Sequence, residues 1–243
     1  MSLIEARRSI IPACDVSTLE DLGCLVRQTE CLEGIGGYKL GGAGGCVLRY
    51  GLDAAVEAVR QHTDLPVIFD YQKAGNDIPD MGKLFAATLD ECNIEAAIVF
   101  PFAGPETAET WIGALVDNCI IPIVGAEMAH KGFAASDGGW INDNAFEYIF
   151  ALAANMGVRD FVVPGNKPER VAHYHELLTN LCNGEPFALY APGLIAQGGK
   201  ISDCAKVAGD RWHAIVDRGI YEASNMFVAA REYCMALDTD QDM

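Results

Sequence analysis

The sequence predicts a (β/α)8 TIM barrel, a single domain over residues 1–243 with a short polar tail from about residue 238. Three observations predict it. Short apolar runs alternate with longer amphipathic stretches, the texture of βα units on a parallel sheet. The alternation occurs eight times within 243 residues, the number and size of such a barrel. The first apolar run ends in Cys14-Asp15-Val16, without the glycine fingerprint expected after the first strand of a doubly wound sheet.

In chain order, the strand at Ile10–Cys14 precedes a helix at Ser17–Glu30, and Ile35–Leu40 precedes Leu52–His62. Pro66–Tyr71 precedes Met81–Glu91, and Ala96–Phe100 precedes Glu106–Asn118. Ile120–Val124 precedes Asn144–Met156, and Phe161–Val163 precedes Pro168–Leu181. Phe187–Tyr190 precedes Ile201–Ala208, and His213–Val216 precedes Tyr221–Leu237. No Ser-rich, Pro-rich or charged linker interrupts the series.

Hydrophobic residues make up 51% of the chain, enough for one sizeable core. Lys and Arg total 17 against 34 Asp and Glu, a net charge of −17. Such a surface repels a duplex or an anionic bilayer, so neither nucleic acid nor a membrane is an expected partner. An anionic ligand would need a local cluster of cations or backbone amides. The 9 Cys include no C-x-x-C pair, which argues against a zinc ribbon or a disulfide framework. Cys92, Cys119 and Cys182 read as small core residues of a cytoplasmic protein, and Cys46 and Cys204 have no His partner nearby in sequence. The longest uncharged run, Pro186 to Gly199, is broken by prolines and glycines, so no membrane span is expected. Trp111, Trp140 and Trp212 are expected to pack, His173 and His175 to be solvated, and His130 to be structural.

Barrel chemistry sits at the C-terminal ends of the strands. There the sequence places Asp15 after the first strand, Lys39 on the second, and Asp70, Lys73 and Asp77 on and after the third. Asp15 alone could equally be a helix N-cap before Ser17-Thr18. An Asp–Lys–Asp array shut away from water is a proton-transfer device, whereas unpaired buried charges are costly. After the seventh strand, Gln197-Gly198-Gly199 offers backbone amides near a helix start, and Arg218 after the eighth could fork onto the same phosphate.

In this order the blocks resemble the orotidine 5′-phosphate decarboxylase family: Asp15, Lys39, Asp70…Lys73…Asp77-Ile78-Pro79, Glu127-Met128-Ala129-His130, Val163-Pro164-Gly165-Asn166-Lys167-Pro168, Pro192-Gly193-Leu194-Ile195-Ala196-Gln197-Gly198-Gly199 and Arg218-Gly219. The resemblance implies decarboxylation of orotidine 5′-monophosphate to UMP in a homodimer, without metal or cofactor. It implies that Lys73 protonates C6 as CO2 leaves, that Asp70 crowds the substrate carboxylate, and that Lys39 completes the charge chain. Asp77 would be donated to the neighbouring subunit's site. Asp15 and Lys39 would hold the ribose, Ile78 and Pro192 would line the pocket, and Gln197, Gly198, Arg218 and Gly219 would hold the phosphate.

The family pattern is Asp-x-Lys-x-x-Asp-Ile, and this chain has one more residue in each interval. Positions i and i+3 of a strand do not share a face, so Asp70 and Lys73 meet only if the chain bulges after the third strand, which Gly75 would ease. Ala129 and Met81 stand where the family often has hydroxyl residues, Ser at the first, a contact to the pyrimidine. Two other readings remain open on sequence alone. One is a Mg²⁺-dependent sugar-phosphate decarboxylase or aldolase, although Lys39 sits where those enzymes want a Glu. The other is a catalytically silent phosphate-ligand-binding homologue.

Overall fold

The computed structural model describes residues 3–72 and 74–237. Lys73 and the expected tail from residue 238 lie outside the described residues.

The strands are β1 (Arg8–Pro12), β2 (Tyr38–Gly41), β3 (Val67–Asp70), β4 (Ala96–Val99), β5 (Ile121–Gly125), β6 (Asp160–Val162), β7 (Ala188–Ala191) and β8 (Trp212–Val216). All pairings are parallel, in the order β1-β8-β7-β6-β5-β4-β3-β2. The Ile10↔Ile35 and Ala13↔Lys39 bridges bring β1 to β2 and all but close the barrel. The helices are α1 (Leu19–Thr29), α2 (Gly45–Tyr50), α3 (Leu52–Arg60), α4 (Met81–Glu91), α5 (Pro105–Asp117), α6 (Asn144–Asn155), α7 (Pro168–Leu181), α8 (Ile201–Ala205), α9 (Arg218–Tyr221) and α10 (Met226–Leu237). No described helix is long and apolar enough to cross a membrane.

Strands buried on both faces account for continuous apolar runs rather than an alternating pattern. Ile11, Ile68, Ile98, Ile123, Val162 and Ile215 point into the barrel. Ile10, Leu40, Phe69, Val124, Leu189 and Trp212 belong to the larger core beneath the helices. Ile4 joins the interior cluster at the floor, where Arg211 donates to its carbonyl at 3.1 Å.

Several boundaries differ from expectation. The first strand begins at Arg8, where pairing with β8 opens opposite Trp212, whose amide donates to the Arg7 carbonyl at 2.9 Å. The last helix is two pieces: Asn225 accepts from the Val228 amide at 3.0 Å and starts α10 afresh. Helix α2 was hidden by the glycine-rich stretch before it. Asp15 is not the cap of α1; Thr18 is, accepting from the Asp21 amide at 3.1 Å.

Three packing expectations are corrected. Cys119 is exposed, because it follows α5 with φ of 60° and Ile120 turns inward instead. Trp140 is 99% exposed: the Ala134↔Ile141 bridge directs Ile141 inward and its neighbour outward. His175 is half-buried, its ring 5.5 Å from that of Phe187, while half-buried His173 meets Glu147 at 2.9 Å. Trp111 and Trp212 are buried as expected.

Candidate active site

The charged side of the mouth is built by β1, β2 and β3. Lys39 lies inside β2 and is 6% exposed. Its Nζ is 2.9 Å from Asp70 Oδ2 and 3.6 Å from Asp15 Oδ2. The Asp15 carboxylate packs against Gly41, where a Cβ would stand 2.1 Å from Asp15 Oδ1. Burial disfavours the Lys39 ammonium, but the charges of Asp70 and Asp15 and the hydrogen bond to Asp70 outweigh it and hold its pKa above the ordinary lysine range. Asp70 Oδ1 is buried with no hydrogen-bond partner among the described residues, so one lone-pair face of this carboxylate remains available to a cation or donor.

The extra residue after Asp70 is absorbed by a turn rather than a strand bulge. The Ala74 amide donates to Tyr71 O at 2.7 Å, and Ala74 O accepts from the Phe100 amide at 3.0 Å. Gly75, at φ of 86°, then lies against Pro101, so close that a Cβ would be 2.9 Å from Pro101 Cα. This path folds the chain back over the end of β4.

The structure does not join Asp77 to Lys39. Asp77 is exposed; its carboxylate accepts the Ile78 amide at 2.7 Å and its carbonyl accepts from Thr107 on α5 at 3.3 Å. Ile78 is 62% exposed beside it, with its carbonyl bonded to Trp111 Nε1. Both residues therefore sit on the outer rim. The opposite wall of the mouth is apolar: Phe100, Phe102 and Met128 pack on the interior cluster, and Phe102 leads to Phe133 at 5.4 Å between ring centroids. His130 is exposed, its ring edge-on to Phe133 at 5.5 Å.

Pro192 and the glycine loop follow β7, and α8 begins two residues after Gly199. Gln197 and Gly198 are exposed, with Gly198 at φ of 88°. Arg218 is exposed and Gly219 half-buried at the start of α9, next to this loop because β7 and β8 are paired. Met81 opens α4, and Ala129 lies in the loop four residues past the end of β5.

One group sequence reading did not single out is the network at the end of β5. Glu127 is 4% exposed and accepts from Lys167 Nζ at 2.9 Å, Arg170 Nε at 2.7 Å and Tyr174 OH at 2.6 Å. Burial alone would raise its pKa; the hydrogen bonds from Lys167, Tyr174 and Arg170 reverse this and lower it. The available signal was a lone acid at one strand end and two cations after the next. Among the described residues no three His, Cys, Asp or Glu side chains cluster as metal ligands.

Fold and mouth together define a parallel (β/α)8 barrel carrying a buried lysine clamped by two aspartates at the strand ends. The chain matches no protein-family model. It is 32% identical over 186 residues to orotidine 5′-phosphate decarboxylase of Pyrococcus abyssi, covering 76% of this chain and 80% of that one. It is 31% identical over 231 residues to the protein of that name from Methanosarcina mazei, covering 94% of each. Among solved structures it superimposes on orotidine 5′-monophosphate decarboxylase of Methanocaldococcus jannaschii, complexed with the inhibitor BMP, with TM-score 0.80 at 22% identity over 96% of this chain and 99% of that one. The Pyrococcus horikoshii enzyme gives 0.76 at 24% identity over 94% and 98%. The chain belongs to the orotidine 5′-phosphate decarboxylase family.

Proposed function

We propose that this protein is a carboxy-lyase that converts orotidine 5′-monophosphate to UMP without metal or cofactor. The observation that carries the reading is the buried Lys39 held between Asp70 and Asp15 at the barrel mouth. The C6–carboxylate bond breaks, CO2 departs, and the electron pair left on C6 takes a proton from the Lys73 ammonium, which solvent then reprotonates. Asp70 faces the departing carboxylate and holds Lys73, and Lys39 fixes Asp70. Enzymes lower barriers by roughly 8–23 kcal/mol, and without a Lewis acid the reduction must come from charge placed in advance. An ammonium beside a developing carbanion is stabilised more in the transition state than in the ground state.

The apolar wall of Phe100, Phe102 and Met128 suits one face of a pyrimidine. Asp15 and Lys39 hold ribose hydroxyls. Gln197, Gly198, Arg218 and Gly219, exposed or half-exposed on two adjacent strand ends, take the phosphate, with Pro192 shaping the loop. Asp77 and Ile78, on the outer rim, serve a partner subunit's site in a homodimer.

The test is loss of the orotate absorbance when purified protein meets orotidine 5′-monophosphate in EDTA. Lys73→Ala is expected to slow turnover by about 10²–10⁴-fold or more. A wild-type protein silent at high enzyme concentration, or a Lys73→Ala variant as fast as wild type, overturns the reading.

A further inference from the structure

Asn166 lies in the turn between β6 and α7, where no substrate group is assigned. Its Nδ2 donates to the Ala129 carbonyl at 3.1 Å. That bond fixes which end of the amide points toward β5, and so where Oδ1 lies. Oδ1 is buried and has no hydrogen-bond partner among the described residues. The β7 loop presses on the same side chain. A Cβ at Gly193 would stand 2.9 Å from Ala129 Cβ and 3.3 Å from Asn166 Oδ1. One at Gly199 would stand 2.9 Å from Asn166 Cα. The Gly165 amide meanwhile donates to Pro192 O at 2.9 Å. Asn166 is therefore wedged where the ends of β5, β6 and β7 converge.

The next residue strengthens the join. Lys167 Nζ donates to Glu127 and reaches the Met128 carbonyl at 3.4 Å. Glu127 is anchored in turn by Arg170 and Tyr174 on α7. Three consecutive residues, 127–129, are thus held by the turn that begins at Asn166. The glycines at 193 and 199 have no side chains that could lock their loop, so its placement depends on what it packs against. A buried amide with its donor in use and its acceptor idle lacks a structural explanation in itself. It is explained if main-chain donors of the β7 loop approach that oxygen as the loop settles.

We propose that Asn166 is a positioning residue that fixes the end of β5 to the β7 loop, so that the two segments keep one relative placement. The inference deepens the proposed function and rests on it, since it gives the phosphate loop and the pyrimidine-facing segment a common anchor. A misplacement of about 1 Å can cost a reaction about 10²-fold, which is why such an anchor matters.

The experiment compares wild type with Asn166→Ala and Asn166→Asp, the second nearly identical in shape but unable to donate to Ala129 O. Amide hydrogen exchange of the unliganded proteins is followed by steady-state kinetics with orotidine 5′-monophosphate. Both variants are expected to exchange about tenfold faster at residues 127–130 and 193–199, with β1 to β3 unchanged. In both, kcat is expected to fall about tenfold or more while KM stays within about twofold. Faster exchange confined to residues 164–168, an Asn166→Asp variant that matches wild type, or a change in KM alone overturns the proposal. Because the exchange measurement needs no substrate, a wild type without turnover would count against the reaction while the exchange pattern still decides the anchor.

Discussion

The two ends of the barrel interior place polar groups in equally dry surroundings and treat them differently. At the mouth, Lys39 stays charged because two carboxylates face it. At the floor, Asp160 and His213 are buried near Arg211, whose charge acts on both. Tyr190 OH donates to Asp160 Oδ1 at 2.9 Å, and Ser9 Oγ meets His213 Nδ1 at 2.8 Å. Burial outweighs both the Tyr190 hydrogen bond and the attraction of Arg211 and pushes the Asp160 carboxyl up to about 6. Burial, with the field of Arg211, pulls His213 down to about 3. Close pairing preserves charge at the mouth, whereas at the floor a single hydrogen bond and the field of Arg211 do not offset the burial of Asp160, and burial drives both Asp160 and His213 toward neutrality.

The largest effect should come from breaking the mouth. Lys39→Met leaves Asp70 buried without its cation, and loss of one partner of a buried pair costs about 3–5 kcal/mol. Urea unfolding of the variant measures it. The double variant Lys39→Met/Asp70→Leu should recover most of that stability while turnover stays abolished, because removing both partners leaves no orphaned charge. If the single variant is as stable as wild type, the mouth does not depend on pairing and the contrast with the floor fails.

The mouth was legible in the sequence and the floor was not, for a physical reason. Asp15 and Asp70 each follow or close an apolar run and Lys39 lies two residues before the end of β2, and in a barrel such ends converge whatever lies between them. Ser9, Asp160, Tyr190 and His213 sit inside strands, and their meeting depends on register: Ser9 opposite His213, Tyr190 opposite Val162 and beside His213. A one-residue slip would turn each to the outer face, and composition carries no such information. The expected strand at Phe161–Val163 even excluded Asp160, which opens β6. The same limit hid Asn166, whose contacts lie across two neighbouring loops. The turn at Tyr71–Ala74 was foreseen as a distortion but not as a turn, since nothing local distinguishes a bulge from a reversal docked on the end of β4.

The floor yields a pH test of intermediate size. Asp160 titrates near 6 when folded against 3.8 ordinarily, so between about pH 4 and 6 the folded state binds the extra proton and stability falls as pH rises. His213 titrates near 3 when folded against 6.5 ordinarily, so over that window the unfolded state binds the extra proton and stability falls as pH drops. The two slopes oppose one another, and wild-type stability should vary little between pH 4 and 6 on their account. Asp160→Asn should uncover the histidine slope, losing up to about 3 kcal/mol on acidification through that range relative to wild type. His213→Asn should do the reverse. Parallel stability profiles for all three proteins would mean that the floor is not held neutral.

The smallest effect separates the two carboxylates of the mouth. Asp70 is the nearer to Lys39, at 2.9 Å, with a side chain 10% exposed; Asp15 lies at 3.6 Å and is 34% exposed. Water around Asp15 screens its attraction, so Asp15→Asn should cost about 1 kcal/mol or less in unfolding free energy, and less still at high salt. Asp70→Asn should cost several times more. Activity should not follow the same order if Asp15 binds the ribose: a hydrogen bond from a sugar hydroxyl to a carboxylate is worth about 1.5–3 kcal/mol, so KM should rise tenfold or more while the fold is barely affected. Equal destabilisation by the two substitutions would show the cation shared evenly. An unchanged KM in Asp15→Asn would remove Asp15 from the substrate site and leave Asp70 as the one partner that both fold and chemistry require.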